Sequence, residues 1–169
     1  MPSAFSHAIS AIALGSAFKN TNDRIRMTIL GVICSVLPDA DVLSFHFGVS
    51  YSSMWGHRGF SHSIFFALIL AMVIMKFFYR QMNDSSKWFR LYIYFFLSTV
   101  LHPLLDACTD GGLGVALFSP FINERYFFSF RPIEVSPISV GNYIPVGTSL
   151  FLLFWLCYLN HLFKCAINL

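Results

Sequence analysis

The chain has 169 residues and a formal net charge of +3, and 56% of it is hydrophobic, 18% aromatic and only 11% charged. An ordinary soluble domain is roughly a quarter charged, and a water-soluble fold of this size could not hide so much apolar surface. No basic run of the kind that follows a nucleic-acid backbone occurs, which sets nucleic acid aside as a partner.

The apolar residues cluster into runs that predict five helical segments, at about 4–18, 27–46, 60–80, 88–110 and 141–163. The first is short, and the others approach the ~20 residues that cross a hydrocarbon core. Residues 1–18 lack the basic opening of a secretory signal and read as a retained helix. Pro38-Asp-Ala-Asp41 interrupts the second segment near its end. A polar stretch, 48–56, then leads into His57-Arg-Gly-Phe-Ser-His62, at the start of a third segment whose Ile64 to Met75 run contains no polar residue. The fourth segment closes on His102-Pro-Leu-Leu-Asp106 and Asp110-Gly-Gly112. Residues 111–140, with Pro120, Pro132 and Pro137, predict a loop holding one short helix near 113–118.

Strands of this apolar continuity lack the alternation of a membrane barrel. The expected fold is therefore all-α: a polytopic membrane helical bundle of about four transmembrane helices plus a short N-terminal helix, forming one domain over 1–169. Cys34, Cys157 and Cys165 lie in or beside apolar stretches with no C-x-x-C pair, which suggests neither disulfides nor a zinc knuckle. Trp55, Trp88 and Tyr126 suit the membrane interface.

Basic residues of short loops stay on the cytoplasmic side. Lys19, Arg24, Arg26, Lys76, Arg80, Lys87, Arg90 and Lys164 share one side, which predicts the N-terminus outside and the C-terminus in the cytoplasm. That orientation sends His7, His46, His57, His62 and His102 to the outer face with Asp39, Asp41, Asp106, Asp110, Glu124 and Glu134. His161, Asp23 and Asp84 fall inside.

His102 and Asp106 are four residues apart, so they share a helix face and reach one ion. His57 and His62 flank Gly59, which lets the chain turn so that both imidazoles face one centre. Asp39 and Asp41 are costly in an apolar segment without a cation or a partner. His7 is a further candidate ligand, although a lone histidine on an apolar helix also serves as a packing residue. Together these residues exceed the four ligands of one zinc ion, which allows two ions. Arg58 would hold a phosphate or carboxylate of a substrate, or else pair with Asp39 or Asp41. Asp110 reads as a helix stop rather than a general acid.

In order and combination, His7, Pro38-Asp-Ala-Asp41, His57-Arg-Gly-Phe-Ser-His-Ser63 and His102-Pro-Leu-Leu-Asp106 resemble the YdjM-type family of membrane-bound metal-dependent hydrolases. The resemblance covers about residues 3–112. It implies a bacterial inner membrane, metal dependence and hydrolysis of an unassigned substrate. Ser61 stands where the family pattern has Thr, and the last third of the chain carries no family motif. The motif order is also loosely similar to zinc-dependent phospholipases C.

The expected function is hydrolysis, with His7, Asp39, Asp41, His57, His62, His102 and Asp106 as the candidate ligands of zinc or a similar divalent ion. Asp106, Arg58 and Asp41 are the residues expected to take part in the reaction. The bilayer is the partner, and a lipid phosphoester or other ester is the expected substrate. The rival readings are a metal-binding or metal-transporting protein without catalysis, and a structural membrane protein whose polar residues pair with one another. A metal-free lipid phosphatase is rejected, because its Ser-Gly-His element is missing.

Overall fold

The computed structural model describes residues 4–18 and 23–131. Within them run helix α1 (Ala4–Ala17), α2 (Arg24–Val36), α3 (Ile64–Phe78) and α4 (Ser85–Ala107), and the described residues form no β-strand. Arg24–Phe47 and Ser85–Ala107 are each long and apolar enough to cross a membrane, whereas α1 and α3 are shorter. The predicted segment 141–163, Glu134 and His161 lie outside the described residues.

The second segment is not one α-helix. At Pro38, which has no N–H to give the helical ladder, α2 tightens into a 3-10 helix over Leu37–Phe47. Gly48, at φ 75°, ends it by donating its N–H to the Phe45 and Ser44 carbonyls, the left-handed stop that glycine takes without strain. The third segment begins later than expected. Residues 60–62 form a 3-10 turn, and Ser63 caps α3 by accepting the Phe66 N–H at 3.0 Å.

The short helix expected near 113–118 does not form. Gly112 and Gly114 take φ of 81° and 84°, outside the helical region. The segment is instead a turn closed by a Val115–Tyr126 bridge. Helix α4 ends at Ala107, before Asp110, and the Asp84 carboxylate caps its start by accepting the Ser86 and Lys87 N–H groups.

Helices α1, α2 and α4 meet where small residues let the backbones approach. Tyr94 of α4 is fully buried, and its hydroxyl donates to the Ala11 carbonyl at 3.1 Å. Gly15 and Gly31 make room for its ring: a Cβ at Gly31 would run into the hydroxyl and the ring carbons. Met27, Leu30, Cys34, Ile74, Met75, Leu91 and Phe95 complete this core. Gly31→Ala is expected to lower stability by about 1–3 kcal/mol through overpacking, read as a lower melting temperature in detergent. Tyr94→Phe in the same chain should restore part of the loss.

The outward residues of α3, including Phe65, Leu68, Ile69, Met72, Val73 and Phe77, are apolar and exposed. A helix apolar all round with its outer face uncovered suits lipid rather than water. The alternating course of the helices brings the start of α1, the 3-10 segment after α2, the start of α3 and the end of α4 to one end of the bundle. The opposite end carries Arg24, Arg26, Lys76, Arg80, Lys87 and Arg90.

Candidate metal centre

Four of the predicted ligands close on one point. His102 Nε2 lies 3.0 Å from His62 Nε2, 3.3 Å from Asp39 Oδ1 and 3.9 Å from Asp106 Oδ2. His62 Nε2 lies 3.6 Å from Asp39 Oδ1 and 3.5 Å from Asp106 Oδ2. Donors bonded to zinc at their usual lengths stand about 3.3 Å apart at the corners of a tetrahedron, so this spacing fits a single ion.

Each imidazole is turned the right way for that role. His102 Nδ1 sits 2.7 Å from the Ser35 carbonyl, which can only accept, so Nδ1 carries the proton and Nε2 keeps its lone pair. His62 Nδ1 lies 3.1 Å from Asp41 Oδ2 and 2.9 Å from Ser61 Oγ, which likewise directs Nε2 to the centre. Such outer hydrogen bonds are what orient metal-binding histidines. Among the described residues, Asp39 Oδ1 is buried without a hydrogen-bond partner, while Asp106 Oδ2 has Arg58 Nε 3.2 Å away. A buried acceptor left unpaired is costly, and a metal ion would satisfy Asp39 and add a second positive charge at Asp106.

Burial works to lower the pKa of His62, but the carboxylates of Asp106, Asp39 and Asp41 outweigh it and raise it from 6.5 to about 10. In the metal-free protein, then, His62 holds a proton that a divalent ion would replace. A raised folded-state pKa adds stability that is complete below 6.5 and disappears as pH climbs through about 10. Thermal unfolding of chelator-treated protein is therefore expected to become easier across that interval.

Asp41 faces a different set of groups. It accepts from His57 Nδ1 at 2.6 Å, His62 Nδ1, the Arg58 backbone N–H at 3.2 Å and the Ser61 hydroxyl. These donors match the roughly four lone-pair positions of a carboxylate. Asp41, His57 and His62 form a second group of ligand types, joined to the first through His62. The His57 ring is buried, and its Nε2 has no hydrogen-bond partner among the described residues.

Arg58 is 1% exposed and sits at φ 62°, the left-handed region an arginine seldom visits. That conformation aims its N–H at Asp41 while the guanidinium runs to Asp106. Nε lies 3.2 Å from Asp106 Oδ2, and the terminal nitrogens donate to the Gly111 carbonyl at 2.6 Å and to Thr109 Oγ1 at 3.3 Å. Its ion-pair partner is thus Asp106, where the sequence suggested Asp39 or Asp41. Gly59 permits the neighbouring turn, since a Cβ there would meet the Met54 carbonyl.

His7 stacks on His102, with ring centroids 3.7 Å apart, and its Nε2 lies 3.8 Å from Asp106 Oδ1. It borders the group of four without joining it. His46 and Asp110 are exposed. The side chain of Asp39 is 24% exposed against 0% or 1% for the other three of the group, so the centre opens on its side.

Arg125 escaped the sequence reading. It donates to the carbonyls of His57 at 3.0 Å and Tyr51 at 2.8 Å and lies over the Tyr51 ring, pinning the loop that carries His57. Nothing in its neighbourhood marks this role, because the His57 and Tyr51 carbonyls that it holds are 68 and 74 residues away in sequence. The Ser35 carbonyl was hidden for the same reason, since a backbone acceptor has no signature in residue type.

No solved structure matches this chain. A relative, "Inner membrane protein YbcI" of Escherichia coli (strain K12), is 35% identical over 148 residues, covering 85% of this chain and 82% of the relative. The family model described as "YdjM inner membrane protein" matches residues 1–166. The chain belongs to the YdjM inner membrane protein family.

Proposed function

We propose that this protein is a metal-dependent hydrolase that crosses the bacterial inner membrane several times, with its N-terminus and metal centre on the outer side and its C-terminus in the cytoplasm. The observation that carries the reading is the convergence of one ligand atom each from Asp39, His62, His102 and Asp106, all within 4.8 Å of one another. Two imidazoles and two carboxylates suit zinc well. Four protein donors fill a tetrahedral zinc ion, so the water would have to enter as a fifth donor from the open Asp39 side, where zinc would lower its pKa towards about 7 and make a nucleophile available at neutral pH.

The remaining residues have separate tasks. Asp41 fixes the tautomers of His57 and His62. Arg58 holds Asp106 in place, and its buried guanidinium is committed to that contact instead of to a substrate anion. His57, backed by Asp41 and keeping a lone pair on Nε2, is the residue suited to take up a proton and return it. His62 orients its Nε2 to the group of four only by giving its Nδ1 proton to Asp41, so the two groups sharing it do not fill together, and one ion per chain is expected. Asp39 marks the side from which water and substrate arrive.

A centre at the helix ends lies at the level of lipid headgroups, which favours a lipid phosphoester or other ester as substrate. Asp41→Asn should leave the ligand set intact yet weaken zinc binding 10- to 100-fold, the order of loss of outer-shell partners, measured by competition with a chelating dye. For activity, metal-loaded protein would be tested on phospholipid and carboxylic-ester panels beside His57→Gln. Hydrolysis by the natural chain, lost in a His57→Gln protein that retains its metal, supports the reading. A metal-loaded natural chain inert to every substrate counts against it.

A further inference from the structure

At the end of the bundle away from the metal centre, a groove of about 630 Å³ is lined by Met72, Met75, Lys76, Phe77, Arg80 and Trp88. Met75 is fully buried at its base, and Trp88 is half-buried and stacked on Tyr92 with ring centroids 5.5 Å apart. Lys76 and Arg80 are exposed, and neither has an acidic partner among the described residues, while nearby Asp84 pairs with Lys87 and Asp23 with Arg26. Their charges are not used up on the end of α3 either, because Arg26 already donates to the Phe78 carbonyl there at 2.7 Å. From the groove, the exposed residues Met72, Ile69, Leu68 and Phe65 continue as an apolar stripe along α3, at the four- and three-residue steps that share one helix face.

We propose that this groove binds one anionic phospholipid, its phosphate held by Lys76 and Arg80 and an acyl chain lying on Met72 and along the α3 stripe. Two uncompensated cations next to an apolar track match an acidic headgroup joined to a hydrocarbon tail, a pairing that free phosphate does not offer. The site is roughly 20 Å along α3 from Ser63, so it is separate from the metal centre and takes no part in hydrolysis there.

The test is native mass spectrometry of detergent-purified protein titrated with phosphatidylglycerol and, separately, with phosphatidylcholine of the same chains. The natural chain should retain one phosphatidylglycerol and prefer it by about 30-fold, the product of two basic contacts with an anionic lipid. Lys76→Gln/Arg80→Gln should lose that preference while keeping the natural metal content, and the charge-conserving Lys76→Arg/Arg80→Lys should keep it. Equal retention of the two lipids by the natural chain, or an undiminished preference in the glutamine variant, would overturn the proposal. If the glutamine variant does not fold, each single glutamine variant should show a partial loss, and no loss in either would also overturn it. Loss of metal without loss of lipid preference in His102→Ala would separate this site from the hydrolase reading.

Discussion

His102→Ala is expected to lose its metal, with zinc affinity falling by more than the roughly 100-fold that removal of an outer-shell partner can cause. The substitution takes away one of four converging donors, leaves the Ser35 carbonyl without its imidazole partner and removes the ring on which His7 stacks. A chelator competition titration measures the loss, and far-ultraviolet circular dichroism checks that the helices remain. His7→Ala should have a smaller effect, because His7 lies outside the group of four and touches it through ring stacking and a 3.8 Å approach to Asp106.

The second large effect is expected from Arg58→Ala. Arg58 and Asp106 are each 1% exposed, and removing one member of a buried ion pair leaves an uncompensated charge, at a cost of about 3–5 kcal/mol. The cost should be greatest in chelator-treated protein, where no cation is left to face Asp106 apart from the protonated His62. It should shrink once zinc is restored. Melting temperatures of natural and variant protein with and without metal measure both. Arg58→Lys should recover little, because an ammonium group cannot reach Asp106, the Gly111 carbonyl and Thr109 together as the planar guanidinium does.

The pairing of His102 with Asp106 was legible in the sequence because a four-residue step on a helix allows one geometry. The distribution of basic residues likewise puts His7, Asp39, His62 and the α4 pair on one side, because the basic residues gather at the other ends of the helices. The division of labour between Asp39 and Asp41 was not legible. Both follow Pro38, but the 3-10 winding of Leu37–Phe47 turns them to opposite sides of the His62 ring, Asp39 towards Nε2 and Asp41 towards Nδ1. Two residues apart in an apolar segment, they look equivalent until the winding of that segment is known.

Helix limits failed where a side chain or a glycine decided them. The predicted third segment starts at residue 60, inside the polar Ser61-His62-Ser63 stretch, whereas the Ser63 cap starts α3 at Ile64. The 113–118 stretch looked helical by composition, yet Gly112 and Gly114 at positive φ turn it into a bridged loop. Arg58 offered two roles on paper. Its left-handed backbone, which the sequence does not announce, selects Asp106 as its partner.

The most direct test of the central claim is metal content per chain, by inductively coupled plasma mass spectrometry, of the natural protein purified in detergent and reconstituted with zinc. One equivalent per chain is predicted, since His62 orients its Nε2 to the group of four only while Asp41 holds its Nδ1. No stoichiometric metal after reconstitution would contradict the metal centre, and two equivalents would contradict the assignment of Asp41 to orienting His57 and His62 instead of binding an ion.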